Sequence, residues 1–142
     1  MAERSVYWPT AESTLPWGES HSSHGATAAA PRWVLAEGRS GGELNFHTYI
    51  LLGNPGLQPA EATVQFLPDT GAPISRTRVV PARSRVTIDV TAEVSELANR
   101  SFAALIATTG GLPIVVERSM YWDGAGLIWS GGSNAVATPL PE

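Results

Sequence analysis

From Arg32 onward the chain is cut into short runs of aliphatic, β-branched and aromatic residues by clusters of glycine, proline, asparagine and aspartate. Such runs are too short for ordinary helices and are the size of strands joined by turns. Trp33 to Glu37 is closed by Gly38 and Ser40-Gly41-Gly42, and Phe46 to Leu52 is stopped by Gly53-Asn54-Pro55-Gly56. In Asn-Pro-Gly the proline fixes its own φ and drives its predecessor out of the helical region, so the chain must turn there. Ala62 to Leu67, Ile74 to Val80, Arg85 to Thr91, Phe102 to Thr108 and Ile114 to Trp122 follow. Val86, Ile88 and Val90 alternate with Arg85, Thr87, Asp89 and Thr91, so one side of that strand is wet. Glu93 to Ala98 reads as one helical turn with Thr91 as N-cap, and Leu127-Ile128-Trp129 prolongs the last pairing. The pattern predicts an all-β fold: an antiparallel, immunoglobulin-like β-sandwich of about seven strands, with a small barrel as the alternative that periodicity leaves open.

The hexapeptide Glu3-Arg4-Ser5-Val6-Tyr7-Trp8 returns as Glu117-Arg118-Ser119-Met120-Tyr121-Trp122. Each copy leads into a small-residue run that passes through another tryptophan, Trp17 or Trp129, and closes on Pro31 or Pro141. Only one set of strands lies between the copies, so the chain reads as one module, residues 32–142, preceded by the tail of another, residues 1–31. Within that tail, residues 9–31 read as an extended connector with few contacts of its own. Residues 3–8 carry a final-strand sequence without their own domain. Glu3, Arg4, Ser5, Val6, Tyr7 and Trp8 are therefore the candidate assembly strand, adding to a sheet edge of this molecule or of a neighbouring copy.

Composition narrows the function classes. All 9 basic residues are arginine and the net charge is -4, which argues against nucleic acid or an anionic membrane surface as the main partner. Without cysteine there is no disulfide framework, thiolate nucleophile or thiolate metal site. No apolar stretch has the length of a membrane span, and an export signal, if the protein carries one, lies outside residues 1–142. The low charge and the abundance of Ser, Thr and Ala suit an extracellular milieu.

Four segments in order, Trp33-Val34-Leu35-Ala36-Glu37-Gly38, Tyr49-Ile50-Leu51-Leu52-Gly53-Asn54-Pro55, Val86-Thr87-Ile88-Asp89-Val90 and Val115-Val116-Glu117-Arg118-Ser119-Met120-Tyr121-Trp122, resemble a family of bacterial extracellular tandem repeats. The resemblance covers residues 32–142, and Ser130-Gly131-Gly132-Ser133-Asn134 matches the family's glycine-rich stretch. It implies an immunoglobulin-like module of a secreted or cell-surface protein, with a structural or adhesive role and neighbouring copies as partners. It brings no catalytic residue and no cofactor.

The residues themselves offer few chemical signatures. Glu37 and Glu117 sit in or beside apolar strands, but a glycosidase needs two carboxyls facing each other across a cleft; an arginine partner such as Arg32 or Arg4 is the expected fate of Glu117. His21 and His24 have a His-x-x-His spacing in a segment that does not read as helical, with no third ligand indicated, and His47 stands alone on its strand. No nucleophile elbow or phosphate-cradling glycine loop occurs. Arg76, Arg78, Arg83 and Arg85 would make a basic face across a hairpin, able to hold an anionic polysaccharide or simply to keep an edge soluble. Of the 5 tryptophans, Trp33 and Trp122 read as core. Trp17 and Trp129 are the candidate sugar-stacking platforms, with Trp8 and Trp17 both open to a core or a ligand role because they belong to the tail of a module. The expectation is a non-enzymatic structural or adhesive module that self-assembles head to tail into a filament, with a carbohydrate-binding module as the rival.

Overall fold

The computed structural model describes residues 3–9 and 18–141. Eleven strands are defined among them: β1 (Glu3–Trp8), β2 (Glu19–His24), β3 (Arg32–Ser40), β4 (His47–Asn54), β5 (Ala60–Pro68), β6 (Ile74–Val80), β7 (Ser84–Asp89), β8 (Arg100–Thr108), β9 (Val115–Gly124), β10 (Leu127–Val136) and β11 (Thr138–Pro139). One helical turn, α1 (Val90–Glu93), follows β7. A four-stranded sheet, β10-β9-β4-β7, and a five-stranded sheet, β11-β3-β8-β5-β6, form an antiparallel sandwich, while β1 and β2 make a separate two-stranded sheet. The seven expected runs are β3 to β9. The two further strands of the sandwich, β10 and β11, come from the Gly/Ser/Ala-rich tail, where weak side-chain patterning hides strands held by their backbone ladder.

Alternation builds the core. Trp33 and Leu35 of β3, Val64 and Phe66 of β5, and Phe102, Ala104 and Ile106 of β8 face Ile50 and Leu52 of β4, Ile88 of β7 and Val116 of β9. Each fully buried large aliphatic or aromatic side chain contributes about 1.5–3 kcal/mol. Trp33 fixes the two sheets to each other, because its indole Nε1 donates to the carbonyls of Ala30 at 2.8 Å and Ile114 at 3.1 Å. Trp122 is only half-buried and packs on Phe46, with ring centroids 5.5 Å apart. It lies at the end of the sandwich and outside the main core.

Turn chemistry is realised through side chains. Asn54 is buried in its Asn-Pro-Gly turn, donating to the carbonyls of Gln58 at 2.8 Å and Val80 at 3.0 Å and accepting from Gly56 N–H at 2.9 Å. The helical segment starts at Val90, earlier than expected, where Asp89 caps it by accepting from Ala92 N–H at 3.1 Å, and it continues as a 3₁₀ turn over Ser95–Leu97 within the expected span 93–98. Thr91 is inside the turn, and its hydroxyl accepts a hydrogen bond from Ser40 Oγ at 3.2 Å. The aspartate wins because it lies one position before the first helical residue, where its oxygen meets the N3 amide.

The connector reading of residues 9–31 changes. Glu19–His24 forms β2 and pairs along its whole length with β1. A Ser/His-rich segment has no hydrophobic alternation to announce a strand, yet its backbone groups still need partners, and β1 supplies them. The β1–β2 sheet lies against the face of β9 and β10 that points away from the core.

Candidate functional site: a docked hairpin and its receiving face

The two hexapeptides occupy equivalent places in two hairpins of the same register. In β1–β2, Glu3 faces His24, Tyr7 faces Ser20 and Trp8 faces Glu19. In β9–β10, Glu117 faces Val136, Tyr121 faces Gly132 and Trp122 faces Gly131. Every pair between these limits corresponds position by position. The repeat is therefore structural, a hairpin and its copy.

Strand alternation gives each hairpin an Arg-apolar-Trp face. In β9 that face is Arg118, Met120 and Trp122, turned toward the opposite sheet; Arg118 is 4% exposed, with Glu37 of β3 at 3.8 Å and Ser133 Oγ at 3.2 Å. In β1 it is Arg4, Val6 and Trp8, laid on the outward residues Glu117, Ser119 and Tyr121 of β9 and Gly132 and Asn134 of β10. Trp8 and Ser119 are buried as a result.

The contacts are specific. Trp8 Nε1 donates to the Trp129 carbonyl at 2.8 Å, and its ring meets Tyr121 edge-on at 5.2 Å and 88°. Gly132 makes this possible, since a Cβ there would lie 2.7 Å from Trp8 Cη2 and 2.9 Å from Tyr121 Cδ1. Gly131 does the same on the inner face, where a Cβ would lie 2.6 Å from the Trp122 ring. The corresponding positions in β2 are Glu19 and Ser20. Only the β9–β10 copy is notched on both faces.

Polar groups fix the remaining register. Arg4 pairs with Glu117 at 3.1 Å, an ion pair whose partial exposure limits it to about 0–1 kcal/mol. With the Asn134 side-chain oxygen and nitrogen assigned to suit their neighbours, its amide donates to the Ser22 carbonyl and His21 Nδ1, and accepts from Ser23 Oγ and Arg4 Nη2. His21 Nε2 lies 3.3 Å from the Tyr121 hydroxyl. Burial, followed by the nearby Arg4 charge, holds the His21 pKa below the usual histidine value. Tyr49, beneath Tyr121 at 6.2 Å between centroids, is pushed above the usual phenol value by burial, then by Asp89 and Tyr121.

A bulge in β10 between Leu127 and Gly131 carries Trp129, whose φ is 52°. Asp123 holds this bulge by accepting from Trp129 N–H at 2.8 Å and from the Asn45 amide at 3.0 Å. Those two hydrogen bonds keep the Asp123 carboxyl below the usual range. Trp129 is 36% exposed and stacks on Tyr121, centroids 5.1 Å apart and planes 24° apart, with His47 at its edge.

Of the residues singled out from sequence, Glu3, Ser5 and Tyr7 point away from the receiving face, whereas Arg4, Val6 and Trp8 form the contact. Within this chain β1 pairs with β2 and with neither edge of the sandwich. Trp17 lies outside the described residues. The four arginines do not share a face, because the chain changes sheets after β6: Arg76 and Arg78 are on the five-stranded sheet and Arg85 on the four-stranded one. Arg76 is held by both Glu96 oxygens at 2.8 Å, and Arg78 by Glu93 at 2.5 Å. Arg83 and Arg85 instead flank a shallow groove of about 610 Å³ with Pro55 and Val115.

Glu37, on β3 of the five-stranded sheet, lies near Arg118 on the inner side of β9, whereas Glu117 lies on the outer side of β9 against Arg4, so they do not confront each other across a cleft. His21 and His24, three apart on a strand, point to opposite sides. Among the described residues no group of three or more His, Asp or Glu could hold a metal ion, and no helix is long and apolar enough to cross a membrane. Sequence reasoning weighed His21 only as a metal ligand and gave Tyr121, Tyr49 and Asn134 no role at a site. The difference between Gly131-Gly132 and Glu19-Ser20 in the two copies was the available signal.

No protein-family model and no curated protein matches the chain. Among solved structures it is similar to that of Thermotoga maritima 1070, at TM-score 0.67 and 14% identity, over 79% of this chain and 96% of that one. It is also similar to the Anabaena sensory rhodopsin transducer, at TM-score 0.53 and 22% identity, over 63% of this chain and 86% of that one. At such identities the likeness establishes the all-β antiparallel sandwich architecture.

Proposed function

We propose that this chain is a non-enzymatic structural or adhesive module of a secreted or cell-surface bacterial repeat protein, joined head to tail to its neighbours. The joint is the outer face of β9–β10, which takes up a hairpin of the Glu-Arg-Ser-x-Tyr-Trp type. One observation carries this reading: β1–β2 reproduces the register of β9–β10 and rests on it through Trp8, Arg4 and His21. Hairpin docking takes the place of edge-strand addition as the means of coupling. The resemblance to extracellular repeats supports the location. Pulling the full chain between its termini tests the joint. The reading expects the hairpin to detach in a distinct event before the sandwich unfolds, and Gly132→Val to abolish that event. A single rupture, the same with and without the substitution, would refute it.

A second reading has its own observation. Trp129 offers an exposed indole face stacked on Tyr121 and flanked by His47 and Asp123, a platform of the kind that stacks on sugar rings. Polysaccharide retention that is lost on Trp129→Ala or Trp17→Ala supports it; absence of retention across a glycan panel disposes of it.

A further inference from the structure

The β1–β2 layer is attached to the rest of the molecule by side chains and by a short connector. Among the described residues no backbone ladder joins it to either large sheet. Its first backbone–backbone tie to the sandwich comes at Ala30, which exchanges hydrogen bonds with Ile114 at 2.9 and 3.0 Å, although Ala26 of the connector already packs against the core. Between β2 and that tie run Gly25-Ala26-Thr27-Ala28-Ala29, small side chains lying over a cavity of about 250 Å³ lined also by Trp33 and Val136. Among the described residues Arg4 Nε is buried without a hydrogen-bond partner, a cost borne by the docked state.

Such a layer can leave, but neither half is comfortable alone. An isolated two-stranded hairpin is marginal in water, and its departure would uncover Tyr121, Ser119 and the Gly132 notch. Both halves are satisfied again if the hairpin of one chain docks on the face of another. We propose that the outer face of β9–β10 is a receptor for the β1–β2 hairpin of a second copy of this chain, exchanged for its own. This rests on the reading of that face as a hairpin receptor and names its partner.

The direction of exchange is fixed by burial. The β9–β10 hairpin cannot act as donor, because its Arg118 and Met120 are already buried toward the opposite sheet. The β1–β2 hairpin cannot act as acceptor, because Glu19 and Ser20 stand where β10 has its two glycines. Reciprocal exchange gives a closed dimer, and one-way exchange gives a head-to-tail chain. Docking in cis benefits from a short tether, so exchange grows with protein concentration.

The absence of cysteine makes the test clean. Ser23 Oγ meets the Asn134 amide across the joint. Full-length S23C is mixed with full-length N134C under mild oxidation, and disulfides are mapped by mass spectrometry. The proposal expects a covalent dimer linked between positions 23 and 134 whose yield rises with concentration, above the homodimer background of either variant alone. The S23C/N134C double variant reports docking within one chain. If it closes fully as a monomer while the mixture never links, exchange is overturned and the receptor reading survives. If neither links, both fall. Charge reversal provides a second measurement: R4E and E117R each oppose their own docking, and mixing restores both pairs only across chains. The expected result is a several-fold gain of 1:1 heterodimer over either variant alone, which R4E/E117R in one chain does not show; no gain on mixing overturns exchange.

Discussion

The Trp8 indole lies over Gly132, where any Cβ would come within 2.7 Å of its ring. The Gly132→Val variant therefore removes the seat of the hairpin and leaves the inner face of β10 intact. The hydrophobic contribution at stake is about 2 kcal/mol, that of one large aromatic side chain. The expected result is rapid proteolysis within residues 25–29 and a red shift of tryptophan emission, with the thermal transition of the sandwich little changed. Unaltered cleavage would show that Trp8 rests elsewhere.

Docking is expected to weaken in acid. His21 has a folded-state pKa below its ordinary value of 6.5, because burial and then Arg4 disfavour the charged ring. Its contribution is complete above pH 6.5 and is lost as pH falls through the lowered value. The groups facing it are Arg4 from β1, Tyr121 and, through Arg4, Glu117 from β9, Asn134 from β10, and Arg118 at longer range. None is an anion in direct contact that would reverse the sign. Protease sensitivity of residues 25–29 measured down from pH 6.5 should rise, and His21→Gln should flatten the profile. Tighter docking on acidification would contradict this.

Arg118 is buried but weakly paired, 3.8 Å from an exposed Glu37. Burial lowers its pKa, and Glu37 opposes that effect only in part. A charge held this way adds little net stability, so Arg118→Met, which keeps the stem, is expected to change unfolding free energy by less than about 1 kcal/mol or to raise it. Arg118→Ala should cost about 2 kcal/mol through lost packing. Glu37→Gln should leave stability almost unchanged. Chemical denaturation of the three variants checks the order.

Trp33 combines full burial with two carbonyl contacts that tie the sheets together. Trp33→Ala is expected to cost about 3–5 kcal/mol. Trp33→Phe retains most of the volume and removes only the indole donor, since the Ala30 and Ile114 carbonyls keep each other's N–H, and about 0.5–1.5 kcal/mol is expected from that loss. Thermal unfolding of both variants separates packing from hydrogen bonding.

The sandwich was legible where one face of a strand is dry and the other wet, as in Val86, Ile88 and Val90, and where turns carry hard punctuation, as at Asn54-Pro55-Gly56. The tail strands β10 and β11 and the hairpin strand β2 were not, because Ser, Gly, Ala and His supply no apolar alternation. The repeat pointed to the site, and Arg4 was named as a partner for Glu117. The receiving face was missed because it depends on where hydrogen atoms replace side chains, at Gly131 and Gly132. The basic face failed for a topological reason: proline and a positive φ at Arg83 carry the chain from one sheet to the other. A two-residue alternation says nothing about which sheet a strand joins.

Proton NMR of the full chain at neutral pH tests the account most directly, through nuclear Overhauser contacts from the Trp8 indole. The account predicts cross-peaks from the Trp8 ring to the Tyr121 ring and to the Gly132 α-protons, with its Nε1–H slow to exchange while bonded to the Trp129 carbonyl. A Trp8 indole with free-chain shifts, fast-exchanging Nε1–H and no contact to β9 or β10 would contradict it.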